Sequence, residues 1–195
     1  HSPFLRIANT QSVLTDLQPL GKEEISQTLN SLLKENQKKQ FAENHFIQFV
    51  VKTSKGRLRI CAYKTRKSIG MQIRMLPMRP LSLTEGNYPD ILFQLANERT
   101  GIIIVCGSRG SGKTTLVRAM QIAKQYGSIA SIEDPIEIPW KHPSTLLCQQ
   151  EVFTDGNSTK SLLNHAIQSD FEMITLPFNP EEDLMPSIME AAISK

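Results

Sequence analysis

The sequence predicts an α/β protein in two parts, an α+β module followed by a domain with a mainly parallel sheet. Three observations predict it. The apolar run Gly101-Ile102-Ile103-Ile104-Val105-Cys106 leads into the glycine-rich stretch Gly107-Ser108-Arg109-Gly110-Ser111-Gly112-Lys113-Thr114, and a helical pattern follows. Two more strand candidates, 129–132 and 171–176, come after that helix, as in a parallel α/β domain. Upstream of Pro77, three strand candidates follow a helical segment, which suits an antiparallel sheet with one helix. The expected division is a first domain over 1–79, a linker over 80–89 and a second domain over 90–195.

Taken in order, residues 4–20 hold short apolar pieces (Phe4-Leu5-Arg6-Ile7, then Val13-Leu14) ending at Pro19-Leu20. From Lys22 to Glu43, Ile25, Leu29, Leu32 and Leu33 recur at helical spacing, and the Lys/Glu/Gln-rich stretch after them is a solvated helical face. The segment 45–52 reads as a strand, with a polar turn at Thr53-Ser54-Lys55-Gly56. Segments 57–63 and 70–76 alternate polar and apolar residues, as half-exposed strands do. Residues 78–89 are rich in turn formers and read as the linker. A helix is expected next, then the apolar run 101–106 as a buried strand with Cys106 inside it. After the glycines, Leu116, Met120 and Ala123 share one helical face.

Composition narrows the function classes. Hydrophobic residues at 39% and charged ones at 21% fit a soluble globular protein, and a net charge of +3 is too small to argue for nucleic acid. No apolar run approaches a membrane span and the N-terminus lacks a signal-peptide pattern. Cys61, Cys106 and Cys148 have no metal-binding spacing, and a reducing cytoplasm is the simple setting. The four histidines form no helical pair, so no metal is expected beyond nucleotide-bound Mg²⁺.

The chemistry-bearing motif is 107–114. Glycines let the backbone curl so that several N–H groups point at one anion, and the following helix N-terminus adds partial positive charge. Lys113 is placed to contact β- and γ-phosphates, and Thr114 to put a hydroxyl on Mg²⁺. The expected nucleotide-binding set is Gly107, Ser108, Arg109, Gly110, Ser111, Gly112, Lys113, Thr114 and Thr115, with Arg109 facing solvent. About 20 residues on, Ser131-Ile132-Glu133-Asp134-Pro135-Ile136-Glu137 puts acidic residues at the C-terminal end of a strand, where ligands bind in open α/β sheets. A carboxylate there can orient water, and Asp134 can bind Mg²⁺ through water. Arg57 and Arg59, two apart, share one strand face and invite a carboxylate or phosphate partner.

These motifs, with Gln149-Gln150-Glu151-Val152, resemble the PilT/GspE-type ATPases, hexameric motors of type IV pili and type II secretion. Gly56-Arg57-Leu58-Arg59, Ala62-Tyr63 and Arg74-Met75-Leu76-Pro77 look like the arginine-bearing strands of the family's N-terminal PAS-like domain. Because the small first domain leads straight into the second, the layout is closer to the retraction ATPase PilT. The resemblance implies a RecA-like second domain, with its C-terminal part missing or shortened. It implies ATP and Mg²⁺ as ligands and Glu133 as the water-polarising carboxylate. Arg57 and Arg74 would reach the nucleotide, and Lys67 stands where an arginine is usual. It also implies assembly as a homo-oligomeric ring, docking on an inner-membrane pilus or secretion platform protein, and a cytoplasmic location peripheral to that membrane. No nucleic-acid partner is expected.

The chain departs from the family at one place. Where the third strand of the family's site ends in Gly-Glu, with an arginine two residues later, this sequence has Pro177-Phe178 and then Pro180. Phenylalanine accepts no proton, and proline removes a backbone donor. Nucleotide binding with weak or absent hydrolysis is therefore expected, because loss of such a carboxylate cuts rate far more than affinity. The alternative is a degenerate, non-hydrolysing regulatory or structural subunit of the same machine. A small-molecule or nucleic-acid kinase fits less well, since no lid of clustered arginines follows the third strand.

Overall fold

In the first unit two helices lie over a three-stranded sheet because Leu29, Leu33 and Phe41 must cover Ile47, Phe49, Ile60 and Ala62. The structure, a computed structural model, describes residues 3–7, 10–156, 158–177 and 183–193. It separates into two units that meet in sequence between Met75 and Leu76. A short antiparallel ladder of β1 (Phe4–Ile7) and β2 (Thr10–Val13) comes first, and Phe4, Leu5, Ile7 and Val13 are all exposed on it.

The helical segment expected over 22–43 is two helices, α1 (Lys22–Leu32) and α2 (Glu35–Asn44). Leu33 and Lys34 are extended between them, and the Lys34 N–H donates to the side chain of Gln37 at 3.0 Å. That bond satisfies a donor at the start of the second helix, and the break lets Leu33 and Phe41 both turn onto the sheet. Strands β3 (Phe46–Thr53) and β4 (Gly56–Lys64) form an antiparallel hairpin with Thr53 opposite Gly56. Gly56, at φ 139°, takes a turn conformation that a side chain would oppose. β5 (Ile69–Leu76) lies along the other edge of β4. Its alternation stops short of the expectation: Met71 packs on the core, but Ile73 and Met75 are exposed.

In the second unit, three parallel strands form a sheet in the order β7-β6-β8. β6 (Ser128–Glu133) is central, between β7 (Leu146–Glu151) and β8 (Met173–Thr175). Ile129, Ala130 and Ile132 of β6 are buried, as a strand covered on both faces demands. α3 (Ile91–Asn97) packs with α4 (Lys113–Ala123) around Leu83, Ala96, Ala119 and Met120. α5 (Thr159–Gln168), capped by the Ser158 hydroxyl accepting from the Ser161 N–H at 3.1 Å, buries Leu162, Leu163 and Ala166. α6 (Met185–Ile193) closes the described chain. β7, α5 and α6 had no counterpart among the elements expected from sequence.

One expectation is corrected by the structure. The apolar run 101–106 is not a buried strand: it joins no ladder among the described residues, and Ile104 is 74% exposed. An apolar run buries its side chains only when flanked by neighbours, and among the described residues the sheet consists of β7, β6 and β8 without it. Cys106 is accordingly exposed. Within 80–89, Leu83 is 1% exposed in the core of the second unit, with Tyr88 packed against that core. Glu85 ties the same segment together, accepting from Arg79 at 2.6 and 2.9 Å and from the Ser82 N–H at 2.9 Å. The Arg79 side-chain bonds, then the Ser82 N–H, pull the Glu85 carboxyl down to about 2.

Candidate functional site

The glycine-rich stretch does what its composition requires. Gly110 (φ 83°) and Gly112 (φ 90°) sit in the left-handed region, and the chain then turns directly into α4 at Lys113. Gly112 is the N-cap of α4 and no side chain caps that end, so the first-turn N–H groups point outward with no partner in their own helix. Gly107, Ser108, Arg109, Gly110, Ser111 and Thr114 are exposed, while Gly112, Lys113 and Thr115 are half-buried. Lys113 folds back over the loop: its Nζ donates to the carbonyls of Gly107 at 2.9 Å and Ser108 at 2.8 Å. The ammonium is thus fixed at the mouth of the loop, beside the helix terminus that favours anions.

Further along α4, Arg118 ties the helix to the acidic segment. Glu133 ends β6 and faces Glu151 at the end of β7 across the parallel register. Its carboxylate is engaged on both oxygens. Oε2 accepts from Arg118 Nη2 at 2.8 Å, and Oε1 accepts from Gln149 Nε2 at 2.8 Å and Ser131 Oγ at 3.0 Å. Arg118 also reaches Glu137, with Nη1 to Oε2 at 3.1 Å, and is only 6% exposed. Asp134 follows Glu133 and is exposed, with a cis bond to Pro135.

The loop after β6 is held by β7. Gln149 donates to the Ile138 carbonyl and accepts from the Trp140 N–H, while Glu151 accepts from the Ile136 N–H at 2.8 Å. Behind these, Gln121 of α4 donates to Ser131 at 2.9 Å on β6 and to Thr175 at 2.6 Å on β8. His142 accepts from the Ser144 and Thr145 N–H groups on Nδ1, which leaves Nε2 to donate to the Ile122 carbonyl at 3.1 Å. One helix therefore carries the glycine loop at its start, Arg118 in its middle and Gln121 one turn later.

The structure relates the glycine loop to Glu133 through α4, which begins at the loop and carries Arg118 to Glu133. Arg57 and Arg74 lie in the first unit, on β4 and β5, half-buried and exposed respectively. Arg59 spends one donor on Gln48 of β3 at 2.6 Å. Lys67 is exposed in the turn between β4 and β5. Pro177 is exposed just past β8, and Phe178, Pro180, Glu181 and Glu182 lie outside the described residues. Sequence reading missed Arg118 and Gln121. The available signal was a polar pair inside a helix flanked by Ala119 and Met120, which had to bury something opposite.

Fold and loop together define an α/β unit that opens a helix with a phosphate-binding type of glycine turn, preceded by an α+β unit. The model of the family "Type II/IV secretion system protein" matches residues 38–174, and the chain belongs to that family, that of the PilT/GspE-type ATPases. It is 33% identical over 162 residues to the type IV pilus ATPase PilU of Pseudomonas aeruginosa, covering 81% of this chain and 42% of that protein. Identity to the type IV pilus retraction ATPase PilT of the same organism is 26% over 163 residues, covering 82% of this chain and 47% of that one. The crystal structure of the pilus retraction motor PilT with bound ADP superposes at a TM-score of 0.85 and 27% identity, covering 99% of this chain and 57% of that one. The chain spans about half the length of the curated relatives it matches. Among the described residues no helix is long and apolar enough to cross a membrane.

Proposed function

We propose that this chain is the nucleotide-binding part of a motor ATPase of a type IV pilus or secretion machine, taking ATP at 107–115. The observation that carries the reading is the uncapped start of α4, with Lys113 pinned over the glycine loop and α4 bonded to the acidic end of β6. The PilT relative solved with ADP supports the choice of nucleotide. In this reading the first unit is the PAS-like domain, its Arg57 and Arg74 reaching nucleotide, and the second is the RecA-like domain. The protein works as a ring in the cytoplasm against an inner-membrane platform protein.

Mg²⁺ would be held by the Thr114 hydroxyl and, through water, by Asp134. Both are exposed hard-oxygen donors, and no group of three or more His, Cys, Asp or Glu among the described residues could hold a metal alone. The ion therefore comes with the phosphates, whose charge it neutralises when bound. Glu133 is the carboxylate that polarises the attacking water. Hydrolysis is impaired because Phe178 stands where the family's catalytic glutamate is expected. A degenerate, non-hydrolysing subunit is the second reading, favoured by the same residue.

The test of binding is calorimetry with Mg-ATP and Mg-ADP. Lys113→Ala removes a charge-assisted phosphate contact and should weaken binding by about 1.5–3 kcal/mol. Equal affinity for wild type and variant overturns the reading. The test of impairment is turnover by the full-length protein, which should rise in the combined Pro177→Gly and Phe178→Glu variant with little change in affinity. Robust wild-type turnover, abolished by Glu133→Gln, returns the chain to the working motors.

A further inference from the structure

A carboxylate that acts on water needs a lone pair aimed at that water. An ionised carboxylate offers about four acceptor positions over two oxygens. Glu133 has three filled by protein donors from three elements: Arg118 on α4, Ser131 on β6 and Gln149 on β7. Ser131 and Gln149 belong to the sheet that carries Glu133 and move with it. Arg118 is different: it comes from the helix that begins at the glycine loop and carries a full positive charge. Its guanidinium is shared between Glu133 and Glu137, so one cation serves two carboxylates, and its Nε is buried without a hydrogen-bond partner among the described residues. A buried ion pair with a donor left unmatched is a weak means of stabilising a fold, which directs attention to what the pair does to Glu133.

We infer that Arg118 is a positioning residue that restrains Glu133, holding its carboxylate against α4 and reducing its capacity to polarise water. The inference rests on the reading of Glu133 as the water-polarising carboxylate. Since Arg118 and Lys113 share α4, the restraint is built into the same rigid element that receives the phosphates. Releasing Glu133 then requires only that the Arg118 contact be lost, with the glycine loop intact.

The experiment uses the full-length protein and Mg-ATP, with Arg118→Gln and Arg118→Lys each placed in the wild-type background and in the Pro177→Gly, Phe178→Glu background. Glutamine keeps a neutral donor, and lysine keeps the charge without the two-pronged geometry. The expected result is a rise in kcat of about tenfold or more in at least one background, with KM and nucleotide affinity within about twofold of the parent. Adding Glu133→Gln should erase that gain, which a general loosening of the fold would not explain. If Arg118→Gln unfolds, as circular dichroism would show, Arg118→Lys carries the test. Unchanged or lowered kcat in both backgrounds, with nucleotide still bound, overturns the restraint alone. A gain that survives Glu133→Gln overturns it equally. Loss of nucleotide binding in the parent chain itself overturns the reading of the site, and the restraint with it.

Discussion

The two flanks of the candidate site are built to opposite standards. On the acidic flank, Glu133, Gln149, Glu151, Arg118 and Gln121 join α4 to all three strands through side-chain bonds of 2.6–3.1 Å. On the glycine flank, Ile102, Ile103 and Ile104 are 43%, 47% and 74% exposed and join no ladder among the described residues. Both flanks have strand-like sequences, and the apolar one reads more strongly as a buried strand. Apolar content prescribes burial only where a neighbouring surface exists to receive it. The polar network meets that condition: its side chains come from α4, β6, β7 and β8 and bond across those elements.

The largest expected effect is at Arg118. Truncation by Arg118→Ala removes the guanidinium from half-buried Glu133 and Glu137, and urea unfolding should lose about 3–5 kcal/mol. A loss below about 1 kcal/mol would mean water already screens the pair. Next in size is Leu83→Ala, expected to cost about 2–5 kcal/mol by the same measurement and to open residues 80–89 to protease. A neutral result would mark that segment as a free linker. Gln121→Ala removes the bonds to Ser131 and Thr175 and should cost about 1–3 kcal/mol. On the glycine flank, Ile104→Ala should change stability by less than about 0.5 kcal/mol. A cost of several times that would show the run packed in solution and erase the contrast between the flanks.

The smallest effect lies away from both flanks. The Glu85 carboxyl should titrate at about 2 by NMR and move back toward 4.5 in Arg79→Ala. Because its folded value is depressed, its contribution to stability is complete above about 4.5 and is lost as pH falls through about 2. An unchanged titration in the variant would remove Arg79 as the cause.

What was legible follows the same physics. Alternation in 57–63 placed Leu58, Ile60 and Ala62 inside, and the hairpin with 46–53 follows from it. The glycines of 107–112 announced the turn into α4, because few other residues tolerate φ near 90°. The break at Leu33-Lys34 was not legible, since helical spacing continues through it and only the sheet below decides where the chain bends. Nor was β7, whose Gln149, Gln150 and Glu151 look like loop residues until their side chains are seen holding the loop after β6. Arg118 hid for a related reason: a buried arginine is recognised by its partners, which lie 15 and 19 residues further along the chain.

The central place of β6 also has a consequence for how the chain is made. The β3–β4 hairpin closes within a few residues of its turn, so the first unit can assemble its sheet as soon as it emerges during synthesis. β6 has no such option. Ser131 meets Thr175 only after 44 more residues have been added, about two to nine seconds at ordinary elongation rates. Through that interval Ile129, Ala130 and Ser131 have an open edge where β8 will later bind. The nascent second unit is therefore the part of this chain most in need of protection from aggregation while it waits for β8.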